Sequence, residues 1–532
     1  MDFPPMFSVA FTEAIHAQFV EHLIRSDRQE DLCFALYWPS QGRDRQTALI
    51  GAIVLPGSGD RAVHGNASFT SGYFLRALEM AEQRGAGLAL AHSHPLGSGW
   101  QGMSTDDVSA ELSHAAQALA VTGLPLVGVT LGGHGNWSCR EWVRVSRGEY
   151  QRVDGESVRV VGERLALAHN PSLRPVPALD GRLHRTVSAW GPETQAGLGR
   201  LRVGVIGVGS VGSLVAESLA RTGIGEIRLI DFDTVELGNL DRLLHASRVD
   251  VALARSKVEV LAEALRRSAT SRPFRAEPLE LSICEEDGFR AALDCDVLFC
   301  CVDRPWPRFV LNVIAYAHLI PVVDGGVHVE ARKDPVRLVS ADWRAYVAGP
   351  GRRCLECAGQ YSPGLVDTDR RGDFDNPHYI AALADDHPAR HGENVFAFSA
   401  ACASLEVLQA LIMLVAPCGV GDIGGQHYHL LPGTVDIEGP ACRPTCPFSE
   451  SLLGLGDSYP AHCTGEHEVA QAQIARRQTA RRTARVRLGR ALVGLLRRLG
   501  AVVEKWLLGA DQDLIERPVE GGDTHGTSTR RT

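Results

Sequence analysis

Leu201-Arg202-Val203-Gly204-Val205-Ile206-Gly207-Val208-Gly209-Ser210-Val211-Gly212 is the stretch that decides the fold. A short run of β-branched residues, read as a strand over 201–206, opens into three closely spaced glycines, and a helical pattern over 213–222 follows. The next strand, 227–231, ends on acidic Asp231, 24 residues after Gly207. Gly207, Gly209 and Gly212 let the backbone approach phosphates, the helix N-terminus favours their charge, and the acid is placed for ribose hydroxyls. A helix over 256–267 and a strand over 296–302 continue the alternation, which predicts an α/β fold with a parallel, Rossmann-like doubly wound sheet. By itself the loop says only nucleotide, and an NAD dehydrogenase would show the same fingerprint.

The residues that follow narrow this. Asp231-Phe232-Asp233-Thr234-Val235-Glu236-Leu237-Gly238-Asn239-Leu240-Asp241-Arg242, then Ser256-Lys257-Val258 on a helix and Cys301-Val302-Asp303 at a strand end, resemble the ThiF/MoeB/ubiquitin-activating superfamily. These residues suit adenylation: Asn239, Arg242 and Lys257 are of the type that grips a triphosphate and its leaving pyrophosphate, and Asp303 of the type that holds Mg²⁺. Arg182-Leu183-His184-Arg185 matches that family's Arg-x-x-Arg, which implies that Arg185 reaches the ATP of the other protomer in a homodimer. Cys354-Leu355-Glu356-Cys357 and Cys442-Arg443-Pro444-Thr445-Cys446 supply two thiolate pairs, enough for a closed structural zinc, with Cys463 as a possible substitute. The second pair has one more intervening residue than a Cys-x-x-Cys. Cys402 lies in Ala400-Ala401-Cys402-Ala403-Ser404 and reads as a core residue, so the sequence supports adenylation but does not support thioester chemistry, and whether a thioester forms, and on which Cys, stays open.

Upstream, helix and strand signals alternate through the first 150 residues. His92-Ser93-His94-Pro95 ends a strand, and Ser104-Thr105-Asp106-Asp107 opens a helix. Side chains two apart on a strand point the same way, so His92 and His94 converge. Two imidazoles and a carboxylate, Asp107, leave the fourth position of a tetrahedral Zn²⁺ open to water. Ser104 followed by Asp107 also reads as an ordinary helix cap. The pattern resembles the JAMM/MPN (JAB) metalloproteases over about residues 8–145. That resemblance implies a zinc-dependent isopeptidase with His92, His94 and Asp107 as ligands, Ser104 on the oxyanion and a Glu as general base. Glu30 has the family's residue type and the longer reach; Asp31 fits a register shifted by one. The loop Leu96 to Met103 is longer than the family's usual spacing.

The chain of 532 residues is too long for one small module, and its 45% apolar and 22% charged residues are those of a globular protein. The expected division is a JAB/MPN domain over 1–150, a linker over 151–180 that contains Pro171, Pro175 and Pro177, a ThiF-type domain over 181–460, and a tail over 461–532. With 54 basic against 63 acidic side chains the net charge of −9 supplies no global attraction to nucleic acid. The start Met1-Asp2-Phe3-Pro4-Pro5 lacks a signal-peptide pattern, and thirteen cysteines suggest reduced thiols, so a cytoplasmic location is expected. The apolar run near Val407 to Val420 is broken by Gln409 and Pro417 and reads as too short for a bilayer, which needs about 18 residues. In the tail, nine arginines and no acid lie between Arg476 and Arg498. Leu488, Leu492, Leu495, Leu496, Leu499, Val502, Val503 and Trp506 recur at helical spacing beside them. This predicts an amphipathic basic helix that caps the protein, with membrane contact as the lesser option, and a disordered end.

Taken together, the two resemblances imply processing and ATP-dependent activation of a ubiquitin-like protein, with a separately encoded conjugating enzyme and Zn²⁺, ATP and Mg²⁺ as cofactors. Such fusions resemble those of bacterial ubiquitin-like conjugation systems. The alternatives are a zinc-containing NAD-dependent oxidoreductase, which leaves Asn239, Arg242, Lys257 and Asp303 without a role, and a catalytically dead binding scaffold.

Overall fold

The computed structural model describes residues 5–64, 66–384, 392–439, 441–459, 462–481 and 493–501. Its N-terminal part is built on strands β1 (Met6–Thr12), β2 (Leu32–Gln41), β3 (Arg45–Val54), β6 (Gly87–His94), β7 (Leu126–Gly132), β8 (Trp137–Ser146), β9 (Glu149–Asp154), β10 (Ser157–Val161) and β11 (Leu165–His169), with a small hairpin of β4 (Arg61–His64) and β5 (Asn66–Phe69) between β3 and β6. The nine-stranded sheet has the order β11-β10-β1-β3-β2-β6-β7-β8-β9. Helices cover both of its faces, so β2 reads as an apolar run rather than an alternation. Helix Glu13–Leu23, capped by Thr12, buries Phe19 against Phe11 and Trp137 on one face. Helices Ser71–Gln83 and Thr105–Thr122 bury Tyr73, Phe74, Ala115 and Ala118 on the other.

Residues 151–180, expected as a linker, instead carry two strands of this sheet. β10 runs parallel to β1 and is buried along its whole length, and β11 closes the edge beside it. The prolines that suggested a linker come after β11, and the polar residue inside β10, Arg159, is buried by an ion pair rather than solvated.

The second part holds β12 (Arg202–Ile206), β13 (Glu226–Ile230), β14 (Arg275–Leu279), β15 (Val297–Cys300), β16 (Val322–Lys333), β17 (Val336–Ala348), β18 (Gly425–His429) and β19 (Thr434–Glu438), in the order β14-β13-β12-β15-β16-β17-β18-β19. The first five are parallel, and the rest extend the sheet antiparallel. Strand order reverses between β12 and β15, where open α/β sheets place their ligands.

The two sheets meet across a junction of buried charge. Arg45 on β3 reaches Asp296 at 2.6 Å, Arg159 shares that carboxylate at 3.4 Å, and Arg202 on β12 is held by both oxygens of Glu156 at 2.6 and 2.7 Å. Burial, with Arg45 beside it, lowers the Arg159 guanidinium to about 9. Asp296 is held below the usual carboxylate range: burial opposes this, but Arg45, Arg159 and Arg202 outweigh it. Leu49, Val161 and Leu165 also join the apolar core around Val203 and Leu219. The parts therefore share a packed, ion-paired boundary.

Two further expectations are corrected. The apolar run read near Val407 begins earlier, and helix Phe396–Val415 is 20 residues, long and apolar enough by length and composition to cross a bilayer. In this fold it packs on β16, β17 and helix Ser210–Thr222, with Glu406 buried at its centre, as a core helix. In the tail, helix Glu468–Arg481 docks through buried Arg477, which pairs with Glu259 at 3.7 Å and with Glu280. A further helical stretch at 493–501 leaves Leu495, Leu496 and Leu499 exposed and pairs Arg497 with Glu263. Leu488, Leu492, Val502, Val503 and Trp506 of the expected stripe lie outside the described residues.

Candidate functional sites

The histidine cluster forms where β6 ends and helix Thr105–Thr122 begins. β6 is central in its sheet, with His92 opposite Leu32 on β2 and Thr130 on β7. The Nε2 atoms of His92 and His94 lie 3.3 Å apart, and the Asp107 carboxylate reaches them at 3.7 and 3.5 Å. Ser104 caps the helix: its Oγ accepts the Asp107 N–H at 3.1 Å, while Asp107 Oδ2 accepts the Ser104 N–H at 2.8 Å. The capping reading and the ligand reading are thus one arrangement, because the box fixes the carboxylate that faces the imidazoles. The Ser104 hydroxyl, while accepting in that bond, also donates toward the Asp107 carboxylate and helps hold it ionised.

Two of the three groups are already in the protonation state a cation requires, and the third, His94, must give up a proton to it. Burial, with Arg140 adding to it, lowers His92 to about 3, so this imidazole is neutral. Hydrogen bonding to Asp107 raises His94. Burial works to raise Asp107, yet His94, His92 and the Ser104 N–H hold it below the ordinary carboxylate range. One donor atom from each of the three lies within 4.8 Å of the others, a convergent two-imidazole, one-carboxylate set that fits Zn²⁺.

Glu30 and Asp31 separate. Asp31 is buried and engaged, accepting from Arg61 at 2.6 and 2.8 Å, from Arg25 at 3.4 Å and from the Leu32 N–H at 2.8 Å. Glu30 is half-buried and senses the cluster: burial raises its carboxyl, the positive field of His94 opposes this, and Asp107 adds to it. Beside His92, at the nitrogen that faces the other donors, stands a layer with no local sequence signal. Thr130 Oγ1 lies 3.3 Å from His92 Nε2, Arg140 donates to Thr130 at 2.5 Å and pairs with Glu111, and Trp142 donates to Glu111 at 2.7 Å. A Cβ on Gly128 would strike both Arg140 and Glu111, which is why that position on β7 carries no side chain.

The glycine loop lies at the β12/β15 switch point. Gly207 has φ +85°, and a Cβ there would sit 2.6 Å from the Cys301 carbonyl; one on Gly212 would collide with the Gly207 carbonyl. Helix Ser210–Thr222 starts without a side-chain cap, which leaves its first N–H groups for an anion. Asp231 accepts the Val208 N–H at 2.6 Å and the Asp233 N–H at 2.7 Å, tying the glycine loop to the loop after β13. Lys257 pairs with Asp233 at 2.6 Å. Burial works to lower this ammonium, but Asp231, Asp233 and Asp303 together raise it. Asp303 is exposed at the end of β15.

Asn239 and Arg242 face their own turn instead. Asn239 Oδ1 accepts the Glu236 N–H at 3.0 Å, and Arg242 donates to the Gly238 carbonyl at 2.5 Å and to Asp241 at 2.9 Å. Arg185 is exposed on helix His184–Trp190, with no hydrogen bond or ion pair among the described residues. The sequence reading missed Arg308, Asp324 and Arg344: buried Asp324 is held between the two half-buried arginines at 3.1 and 3.3 Å, and Arg308 feels the charge of Asp303. Cys402 is fully buried, 3.6 Å from the Arg344 carbonyl and from Glu406, and burial pushes its thiol well up.

Cys354, Cys357, Cys442 and Cys446 converge, each offering its sulfur within 4.8 Å of the rest. Backbone N–H groups of Cys354, Cys357 and Arg443 point at the sulfurs of Cys442, Cys354 and Cys357 at 3.1, 3.3 and 3.5 Å. This is a donor set for a closed tetrahedral zinc. Cys463 is not among the four; it lies in the core, where its carbonyl receives Trp306 Nε1 at 2.9 Å.

Residues 182–424 match the ThiF family. A 63-residue stretch is 56% identical to tRNA threonylcarbamoyladenosine dehydratase of Escherichia coli (strain K12), covering 12% of this chain and 23% of that protein. Over 170 residues the chain is 31% identical to adenylyltransferase and sulfurtransferase UBA4 of Yarrowia lipolytica (strain CLIB 122 / E 150), covering 32% of this chain and 40% of that one. The chain thus spans less than half the length of these curated relatives. Among solved structures, E. coli MccB with succinimide is similar at 20% identity and a TM-score of 0.39, covering 51% of this chain and 74% of that chain.

Proposed function

We propose that the Rossmann-like ThiF domain adenylates the C-terminal carboxylate of a ubiquitin-like protein, and that the N-terminal domain, by its JAMM/MPN resemblance, trims or releases the same modifier as a zinc-dependent isopeptidase. The observation that carries the first half is the uncapped glycine loop facing Lys257 among Asp231, Asp233 and Asp303, within the segment that matches the ThiF family. A modifier carboxylate oxygen attacks the α-phosphorus of ATP, the bond to the β-phosphate bridging oxygen breaks, and pyrophosphate leaves. The loop N–H groups hold the phosphates, and Lys257 with Arg242 takes up the leaving charge. Asp303 would hold Mg²⁺, which supplies charge neutralisation. Arg185, exposed and without a side-chain partner among the described residues, suits reaching a neighbouring protomer in a homodimer. The burial of Cys402 supports adenylation without a thioester on that residue.

In the N-terminal domain His92, His94 and Asp107 would hold zinc, which supplies Lewis acidity. Glu30 takes the proton from the attacking water and returns it to the leaving amine, and the Ser104 O–H meets the developing oxyanion. The two chemistries share a substrate, because hydrolysis that exposes a C-terminal carboxylate prepares it for activation.

The test is pyrophosphate exchange stimulated by a genomically neighbouring ubiquitin-like protein. Asp303→Ala should abolish it without unfolding the domain; exchange that survives would overturn the magnesium role. The 56%-identical stretch favours a second reading in which this site acts on a modified tRNA nucleoside. Stimulation by tRNA, and not by the modifier, would favour that reading.

A further inference from the structure

Outside both sites, strands β17, β18 and β19 bring a third set of donors together. β18 carries His427 and His429, two apart and therefore on one face. β17 places Asp342 opposite His429, and β19 places Asp436 opposite His427. Trp343 and Tyr428, the intervening residues, stack on each other, and Trp343 stacks on Phe398 of helix Phe396–Val415, so the histidines face away from that helix. The two imidazoles lie 4.4 Å apart between ring centroids. His429 Nδ1 is 2.8 Å from Asp342 Oδ1, and its Nε2 is 3.3 Å from Asp436 Oδ2. One donor atom from each of Asp342, His427 and His429 lies within 4.8 Å of the others.

We propose that Asp342, His427 and His429 form a third metal site, one for a divalent transition cation of the Zn²⁺, Co²⁺ or Ni²⁺ class, with Asp436 as an outer carboxylate. Neighbouring imidazoles with carboxylates on both flanks are a borderline donor set; all-oxygen sites suit Mg²⁺ and Ca²⁺ instead. Like His92, His94 and Asp107 it joins a His-x-His on a strand to one carboxylate, but here the carboxylate comes from the neighbouring strand β17, and the set serves neither proposed reaction. All three donors are only half-buried and Asp436 is exposed, so the site opens to solvent and exchanges its ion faster than the four-cysteine cluster. Since the donors come from adjacent strands, the ion ties β17 to β18 and draws in the edge strand β19.

The test is equilibrium dialysis of the full chain against Zn²⁺, and separately Co²⁺, with metal counted per chain. The wild-type chain should hold one more exchangeable equivalent than the His427→Gln/His429→Gln double variant, with the remaining equivalents unchanged. Asp436→Asn, at the outer carboxylate, should weaken that equivalent by roughly 10–100-fold, and Asp342→Asn, which removes a ligand charge, should weaken it more. Glutamine keeps hydrogen-bonding capacity at both positions, and a metal-free thermal midpoint equal to wild type shows that the sheet is intact. Added Zn²⁺ should raise the wild-type midpoint and raise the double variant's less. Equal metal counts and equal Zn²⁺-dependent midpoints in wild type and double variant would overturn the site.

Discussion

The histidine cluster and the nucleotide loop are built in opposite ways. In the first, the donor atoms already converge and are held from the side: Ser104 pins Asp107, and Thr130, itself held by Arg140, meets His92 Nε2. In the second, the groups assigned to the triphosphate are bonded to one another or to their own turn, Lys257 to Asp233, Arg242 to the Gly238 carbonyl, Asn239 to the Glu236 N–H. A site whose donors already converge accepts its ion by losing the proton between His94 and Asp107, with little movement of its heavy atoms. The other must exchange internal bonds for ligand bonds, so part of its binding free energy is spent on reorganisation.

The largest expected effect breaks the preformed half outright. His94→Ala should lose the exchangeable zinc of that cluster and all peptidase activity, while modifier-dependent pyrophosphate exchange stays at the wild-type rate. Metal content equal to wild type would remove His94 from the ligand set. Next comes the base. Glu30→Gln should keep zinc but lower turnover by roughly 10²–10⁴-fold, the usual worth of a general acid–base group. Asp31→Asn should act mainly on stability, since that carboxylate is committed to Arg61 and Arg25. Full turnover in Glu30→Gln would reassign the role.

These residues were legible in the sequence because their chemistry is local. Gly207, Gly209 and Gly212, His92 with His94, and Ser104 with Asp107 each sit within one strand end or helix start, where spacing alone dictates direction. What stayed hidden depends on partners far along the chain. Arg159 in β10 falls in the stretch read as a linker, yet it is buried where Asp296, 137 positions on, meets it. Arg140, Glu111 and Thr130 lie on separate elements, and only the sheet order puts them beside His92. His427 and His429 have the same spacing as His92 and His94, but Asp342 lies 85 and 87 residues before them, and no local window contains it. For Lys257 and Arg242 the residue types were readable, whereas their present internal pairing was not.

A smaller effect sharpens the contrast between the two constructions. Thr130→Val removes a hydroxyl that shares His92 Nε2 with the cation and leaves all three donors, so zinc affinity should rise, by up to roughly tenfold. Hydrogen exchange supplies the counterpart. Addition of Mg-ATP should change the protection of the Glu236 and Arg242 N–H groups, since that turn must open. Addition of zinc should leave the protection of Ser104 and Asp107 close to its metal-free value. The reverse pattern would show that the histidine site is the one that reorganises.

The smallest effect concerns the boundary on which both sites rest. His318, at the end of helix Pro305–Ala317, reaches back to β2, with Nδ1 2.8 Å from Ser40 Oγ. Burial lowers this imidazole to about 4. In the unfolded chain it protonates near 6.5, so between those values the unfolded state binds more protons and stability falls as pH falls. From pH 7 to pH 5 this one group should remove about 2 kcal/mol, with the loss complete below about pH 4. His318→Gln keeps a hydrogen bond to Ser40 within reach but cannot titrate. The measurement is the urea midpoint of both proteins at pH 7 and pH 5, compared as slopes so that the fixed cost of the substitution cancels. A shallower pH slope in the variant is expected; parallel slopes would mean that His318 is protonated in the folded chain and that acid loosens the junction elsewhere, with buried His169, also lowered to about 4, the next residue to substitute.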